Sequence, residues 1–175
     1  MNDTCEPLIF SSDSFSDGRG LFDNIFRRQS EPYSLFWGNR MISQINISVT
    51  NNVGTVRGLH FQNLPHAEAK IVRCLRGNVW DVIVDLRQNS DFYGQWKFFE
   101  LNANKNDALF IPEGFAHGFQ VLKPNSHLLY IHSGNWVKSA ETGVRFDDPQ
   151  LSISWPLTPK GMSERDLSLP FLKAL

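Results

Sequence analysis

The amino-acid sequence predicts a mainly β fold in which the strands pair as an antiparallel sandwich or barrel. Short strand-like segments fill the middle of the chain, turn-forming residues separate them, and no alternation of strand with helix is visible. The aromatic content of 13%, with fourteen Phe, five Trp and three Tyr, suits a β-rich core and a pocket lined by rings.

Each strand is predicted from its own pattern. Residues 43–49 alternate polar and apolar side chains, as a half-buried strand does, and residues 80–86 do so more loosely. Further strand candidates are residues 70–75, 96–101, 108–111, 119–122 and 127–132. Turns rich in Asn, Gly and Pro separate them at roughly 8–12-residue intervals, which is typical of an antiparallel sandwich or barrel.

Helix signals are confined to the two ends of the chain. Residues 21–29 are predicted to form one short helix. Ser163, followed by Glu164, Arg165 and Asp166, resembles a capping box that opens a helix of a turn or two, which Pro170 would end.

Length and charge restrict the class of protein. The 175 residues suit one domain, 1–175, that can bury a sizeable core. A net charge of −1 gives no electrostatic reason to expect binding to nucleic acid or an anionic membrane, and no stretch approaches the roughly 20 apolar residues of a membrane span. The first residues lack the pattern of a signal peptide, and Cys5 and Cys74 lack Cys-x-x-Cys spacing. We therefore expect a cytoplasmic protein with two free thiols.

His60 is the first candidate for chemistry. It lies in a segment, residues 56–62, that is expected to be extended, so His60 and Gln62 would share one face and Leu59 and Phe61 the other. If Leu59 and Phe61 pack into the wall, His60 faces a barrel interior. Since histidine has an ordinary pKa near 6.5, it suits a general base at neutral pH, although a polar strand residue with ordinary hydrogen bonds is the alternative.

A second pattern involves Pro112, Gly114 and His117. Their spacing, Pro-x-Gly-x-x-His, resembles the second motif of the cupin superfamily, whose members are small antiparallel barrels with a central pocket. The first cupin motif often supplies metal ligands through His-x-His, but here it reads His60-Phe61-Gln62. Because two histidines make a poor transition-metal site, we expect no metal and acid–base chemistry by side chains.

Several longer blocks resemble the dTDP-4-dehydrorhamnose 3,5-epimerase family, which epimerises nucleotide-linked 4-keto-6-deoxy sugars. The blocks, in the family's order, are residues 57–62, 70–73, 81–87, 93–96 and 111–119. The resemblance implies a cupin-type jelly-roll barrel with short helices near the ends and an isomerase that needs no cofactor. It also implies a homodimer and a dTDP-linked substrate in deoxysugar biosynthesis of the dTDP-rhamnose type.

The resemblance also implies roles for individual residues. His60 matches the catalytic base and Asp166 the acid that orients it. Lys70 matches the group that stabilises the enolate oxygen, and Tyr130 matches the proton donor. Asp81 matches an acid that would either orient the lysine or satisfy buried donors.

Positions that bind the substrate in the family are matched by Arg19, Phe22, Gln44, Asn46, Arg57, His117 and Trp136. Arg19 and Phe22 belong to the segment that the family's dimer presents at the neighbouring site, although a surface turn is the plainer interpretation. Trp136 stands where the family usually has a tyrosine, so the ring is kept and the hydroxyl is lost.

These features leave alternatives open. One is an epimerase that acts at C3 only or C5 only, or on a GDP- or CDP-linked sugar. The others are a sugar 3,4-ketoisomerase, a metal-dependent cupin oxygenase and a barrel that binds sugars without catalysis.

Overall fold

The computed structural model describes residues 6–174 and consists of two five-stranded antiparallel sheets with a separate two-stranded hairpin. In spatial order, the first sheet contains β1 (Leu8–Ser11), β9 (Asp107–Ile111), β6 (Lys70–Arg76), β11 (Ser126–His132) and β4 (Gln44–Thr50). The second contains β12 (Glu141–Gly143), β5 (Val56–Gln62), β10 (Phe115–Val121), β7 (Asn78–Asp85) and β8 (Trp96–Asn102). The mainly β, antiparallel prediction is confirmed.

The remaining elements are short. The hairpin pairs β2 (Ser14–Asp17) with β3 (Gly20–Asp23), and the helices are α1 (Tyr33–Phe36), α2 (Glu164–Leu167) and a 3₁₀ turn at Leu172–Ala174. Helix α2 starts as predicted, since the Ser163 hydroxyl accepts a hydrogen bond from the Asp166 backbone N–H at 3.1 Å.

The predicted helix over residues 21–29 is wrong. Gly20–Asp23 is a strand, in which Phe22 pairs with Phe15 across the hairpin. The turn between Asp17 and Gly20 brings the two strands together, because Asp17 accepts hydrogen bonds from the backbone and the guanidinium of Arg19. This local turn chemistry determines the conformation. Leu21 and Phe22 lie exposed on the ribbon, whereas Ile25 and Phe26 pack against the apolar cluster that contains Tyr33 and Trp37.

The main core lies between the two sheets. It combines apolar side chains of both, among them Ile83, Leu101, Leu109, Ile111 and Leu128, all essentially inaccessible to solvent. Burial of such residues supplies most of the stability of a fold of this size. Phe119 and Tyr130 lie at the edge of this core, where it meets the cavity described below.

A second apolar layer covers the outer face of the second sheet. Leu59, with Phe61 beside it, packs there against Val144 and Leu151 of the C-terminal segment. The predicted alternation of β5 is thereby confirmed, because His60 between them faces the cavity instead. The Asp148 carboxylate fastens this segment by accepting backbone hydrogen bonds from residues 150, 151 and 172 at 2.6–3.0 Å.

In the part of the chain that the structure describes, no helix has the length and apolar character needed to cross a membrane. Cys74 is a buried free thiol, whereas Cys5 lies outside the described residues.

We expect Leu109→Ala to lower the free energy of unfolding by about 2–5 kcal/mol, because it leaves a cavity in the core between the sheets. Leu35→Ala is the matched control, since Leu35 is 72% exposed on α1 and its loss should change stability by less than about 0.5 kcal/mol. Urea unfolding of both variants measures the difference, and equal losses would contradict this account of the core.

Candidate active site

A cavity of about 520 Å³ opens between the two sheets. It brings together three of the predicted catalytic residues, His60, Lys70 and Tyr130, and five of the predicted binding residues, Gln44, Asn46, Arg57, His117 and Trp136. His60 and His117 come from the second sheet, on β5 and β10, while Lys70 and Tyr130 come from the first, on β6 and β11. Groups from both sheets therefore face one volume.

His60 and Asp166 form a hydrogen-bonded pair, with Nε2 of the imidazole 2.7 Å from Oδ1 of the carboxylate. Asp166 does not line the cavity but lies behind His60, 4% exposed, in α2. Its backbone makes the capping contact with Ser163, so its carboxylate is available to His60. Because Nε2 is occupied, Nδ1 is the ring nitrogen that can take a proton in the cavity.

The environment of Asp166 keeps its carboxyl group ionised. Burial favours the neutral form, but hydrogen bonds from His60 and Ser163 and the positive charge of His60 outweigh it and lower the pKa of Asp166 below its ordinary value. An ionised acid fixes the tautomer of the ring beside it and stabilises the imidazolium when a proton arrives.

A second histidine–acid pair is buried more deeply. His117 Nε2 lies 2.8 Å from Oδ2 of Asp81, and the two side chains are 5% and 0% exposed. Burial raises the pKa of Asp81, against the opposing effects of His117 and Lys70. Of the two roles considered for Asp81, the geometry shows it satisfying a buried donor, that of His117, while Lys70 has a different acidic neighbour.

That neighbour is Glu68, which the sequence analysis missed. Its Oε1 lies 3.5 Å from Lys70 Nζ, and its Oε2 lies 3.1 Å from Nδ1 of His132, also missed. Both lie in the cavity wall. The sequence spacing does indicate both residues. Glu68 precedes Lys70 by two residues and His132 follows Tyr130 by two, and residues two apart in an extended chain lie on the same face.

Tyr130 sits among these groups with its ring at a centroid distance of 5.8 Å from both His117 and His132, edge-on to the first and stacked on the second. Burial and the negative charge of Asp81 raise the pKa of Tyr130 far above that of an ordinary tyrosine, and Arg57 opposes them only in part. The phenol therefore stays protonated, as a proton donor requires.

At the rim of the cavity, Glu141 links two other side chains, and sequence reasoning missed it too. Its carboxylate accepts hydrogen bonds from Arg165, at 2.6 Å, and from the indole N–H of Trp136. Burial works against ionisation of Glu141, but these two hydrogen bonds prevail and lower its pKa. The Trp136 ring is thus oriented at the cavity wall by a charged partner.

Arg19 and Phe22 do not reach this cavity. They lie on the β2–β3 hairpin, where the Phe22 ring is 69% exposed and Arg19 pairs with Asp17 at 2.5 Å. Around them the hairpin forms its own shallow concavity.

The described residues contain no group of three or more His, Cys, Asp or Glu side chains arranged to hold a metal ion.

Comparison with known proteins shows which family this chain is similar to. Residues 4–174 match the family model described as dTDP-4-dehydrorhamnose 3,5-epimerase. A dTDP-4-dehydrorhamnose 3,5-epimerase of Sinorhizobium fredii is 38% identical over 173 residues, which cover 95% of this chain and 85% of that protein. A dTDP-4-dehydrorhamnose 3-epimerase of Streptomyces niveus is 41% identical over 125 residues, covering 71% of this chain and 60% of that protein.

A solved structure extends the likeness to the fold. The dTDP-6-deoxy-D-glucose-3,5-epimerase of Legionella pneumophila, in complex with dTDP-4-keto-L-rhamnose, matches with a TM-score of 0.88 and 33% identity. The match covers 95% of this chain and 88% of that chain. The predicted cupin-type barrel is confirmed.

The raised pKa of Tyr130 gives a prediction that needs no substrate. An ordinary tyrosine is half ionised near pH 10, whereas we expect the Tyr130 phenol to remain protonated there. Ultraviolet titration of tyrosinate in the wild-type protein and in Tyr130→Phe should give superimposable curves up to about pH 10. If the variant forms one tyrosinate fewer than the wild-type protein below that pH, the Tyr130 phenol is not held in its protonated form as proposed.

Proposed function

The chain belongs to the dTDP-4-dehydrorhamnose 3,5-epimerase family, and on this premise we propose that it inverts C3 and C5 of a dTDP-linked 4-keto-6-deoxyhexose in deoxysugar biosynthesis. One observation carries the proposal: His60 and Tyr130 stand on opposite sheets yet line one cavity, with Lys70 beside them. Inversion of a carbon centre requires this arrangement, because a proton must leave one face of the sugar and return to the other.

His60 is the base in this mechanism. The 4-keto group acidifies the hydrogens on C3 and C5, and Nδ1 of His60 removes one of them. The ionised Asp166, 2.7 Å from Nε2, stabilises the imidazolium that results. The ketone is already present in the substrate, so the chemistry is proton transfer alone.

Lys70 and Tyr130 complete the reaction. Proton removal leaves an enolate whose oxygen is stabilised by the ammonium of Lys70, an interaction strengthened by the low exposure of that residue, 8%. Tyr130 then delivers a proton to the opposite face of the enolate. Its raised pKa keeps the phenol neutral until a carbon base lies next to it.

The cavity also offers groups to hold the nucleotide part of the substrate. Arg57 brings a planar guanidinium that suits a pyrophosphate, and Gln44 and Asn46 present amides from the same face of β4. His117 is fixed by Asp81 and positions the sugar. The Trp136 ring, oriented by Glu141, provides a stacking surface at the rim.

A homodimer is part of the proposal. Strand β4 is the edge of its sheet. Gln44, Asn46, Ile47 and Ser48 line the cavity, and two apolar side chains of the strand, Ile45 and Ile47, are 58% and 61% exposed. Exposure of an apolar edge strand to water is unfavourable in a monomer, and a second copy of the chain would cover it. The exposed hairpin with Arg19 and Phe22 would then reach the partner's cavity.

We place the enzyme in the cytoplasm. Burial raises the pKa of the Cys74 thiol to about 11, which makes it a structural and unreactive group, and free thiols of this kind are common in reducing compartments.

A second candidate is inversion at C3 alone. It is favoured by Trp136, which stands where the family usually has a tyrosine and places a larger ring without a hydroxyl at the rim, and by the 41% identity to a 3-epimerase. The two candidates differ in which carbons exchange hydrogen with solvent.

Incubation with dTDP-4-keto-6-deoxyglucose in deuterated water, followed by NMR, tests the function. We expect deuterium at both C3 and C5 of the product, because each inversion takes its new proton from a group that exchanges with solvent. Deuterium at C3 alone would establish the second candidate. Absence of incorporation at both carbons would contradict epimerase activity on this sugar.

Variants at the two proton-transfer groups should behave differently. We expect His60→Ala to lower kcat by at least about 1,000-fold, because it removes the imidazole that acts as the base. Tyr130→Phe should suppress completed inversion more than hydrogen exchange, since His60 can return the proton to the face it came from. Wild-type turnover in both variants would contradict the assignment.

Mixed dimers test whether the hairpin serves the neighbouring site. His60→Ala and Arg19→Ala should each be impaired alone, but unfolding and refolding them together in equal amounts should restore about a quarter of wild-type activity, since half the dimers are mixed and each of these has one intact site. If Arg19 served its own subunit, mixing would restore nothing.

A further inference from the structure

The ammonium of Lys70 is nearly buried, and a charge in that position needs a fixed partner. Two carboxylates are near enough to influence it. Asp81 directs Oδ2 to His117 at 2.8 Å and has no hydrogen bond to Lys70, whereas Glu68 places Oε1 3.5 Å from Lys70 Nζ. Glu68 is therefore the direct counter-charge of Lys70.

Glu68 is itself held in place. Its second oxygen accepts a hydrogen bond from Nδ1–H of His132 at 3.1 Å, so both oxygens are engaged by protein groups. The backbone supports this geometry, because Ala69 donates its N–H to the hydroxyl of Ser133 at 2.8 Å. A Cβ added at Gly134 would lie only 3.0 Å from Cβ of Glu68, so the two segments approach closely.

His132 connects this pair to two groups of the proposed mechanism. Its ring stacks on Tyr130 with an interplanar angle of 17°, and its Nε2 lies 3.4 Å from the Asn46 amide. With Nδ1–H donating to Glu68, a neutral His132 accepts from the Asn46 N–H. The enolate-stabilising cation, the proton donor and a nucleotide-binding amide are thus joined through Glu68 and His132.

We propose that Glu68 and His132 are positioning residues for the epimerisation: His132 orients the Glu68 carboxylate, and Glu68 holds the Lys70 ammonium where the enolate oxygen forms. The inference rests on the proposed function. Because both carboxylate oxygens of Glu68 are engaged by Lys70 and His132, Glu68 acts through Lys70 and not through contact with the sugar.

Glu68→Gln tests this role, because it keeps the size of the side chain and removes the charge. We expect kcat to fall about tenfold to a hundredfold, since a displaced ammonium stabilises the enolate poorly. Deuterium exchange into the substrate should fall in parallel, and KM should change by less than about threefold. Glu113→Gln is the matched control: it removes a carboxylate from an ion pair with Arg40, 2.7 Å long, on a turn away from the cavity, and should leave kcat unchanged.

A double-mutant cycle separates positioning from general support of the fold. In a Lys70→Met background, Glu68→Gln should have little further effect, because the group through which it acts is gone. His132→Phe, which keeps a stacking ring, should lower kcat in the same direction and add little to Glu68→Gln. An undiminished loss from Glu68→Gln in the Lys70→Met background would overturn the proposal.

Acetylation with acetic anhydride, read by mass spectrometry, tests the pairing without substrate. Lys97, whose side chain is 63% exposed, is the internal reference. Removing the adjacent negative charge destabilises the ammonium form of Lys70, so its labelling relative to Lys97 should rise about threefold or more in Glu68→Gln and not in Glu113→Gln. Unchanged labelling would overturn the proposal, whereas altered labelling in a protein that shows no epimerisation would reject the proposed function and leave the pairing established.

Discussion

The hydrogen bond between His60 and Asp166 joins positions 106 residues apart in the chain, and the arrangement of the site depends on it. It forms only because the C-terminal segment lies across the outer face of the second sheet and brings α2 against β5. Glycines in the two strands that flank β5 allow close packing against it: a Cβ at Gly143 would meet the Leu59 carbonyl oxygen at 2.0 Å, and one at Gly118 would meet the Arg57 carbonyl oxygen at 2.6 Å. Packing of the apolar layer on the outer face of β5 therefore holds the Asp166 carboxylate against His60, whose side chain faces the cavity.

The charges inside the cavity are balanced by paired side chains. Among the described residues of the wall, each imidazole and the Lys70 ammonium have a carboxylate within hydrogen-bonding or ion-pair distance: Asp166 for His60, Asp81 for His117, and Glu68 for both Lys70 and His132. Buried charges without partners would be strongly destabilising, so these acids stabilise the folded state. Because the pairs are fixed before any ligand enters, the field that they create is already oriented toward the cavity.

How much of the fold and the site could be predicted from the sequence depends on how far apart in the chain the interacting residues lie. The alternation in β4 and β5 is local, and it correctly predicted that Leu59 packs outward while His60 faces inward. The hairpin at residues 14–23 was missed because it depends on the turn between Asp17 and Gly20, and the predicted helix over residues 21–29 overlaps its second strand. Glu68 and His132 were missed for a different reason. Each is an ordinary polar residue near a strand end, and only the pairing of β6 with β11 puts them in contact.

The two proton-transfer groups of the proposed mechanism differ in a way that makes their roles difficult to exchange. Histidine is the residue type that titrates near neutral pH, and His60 has an ionised acid to stabilise its protonated form. The surroundings of Tyr130 disfavour its charged form, because burial and the nearby Asp81 carboxylate both destabilise the phenolate. A phenol in such surroundings gives up its proton only to a strong base, and the carbon of an enolate is one. Burial, reinforced by the Asp81 carboxylate, raises the pKa of Tyr130 and thus restricts proton donation to the moment after His60 has acted.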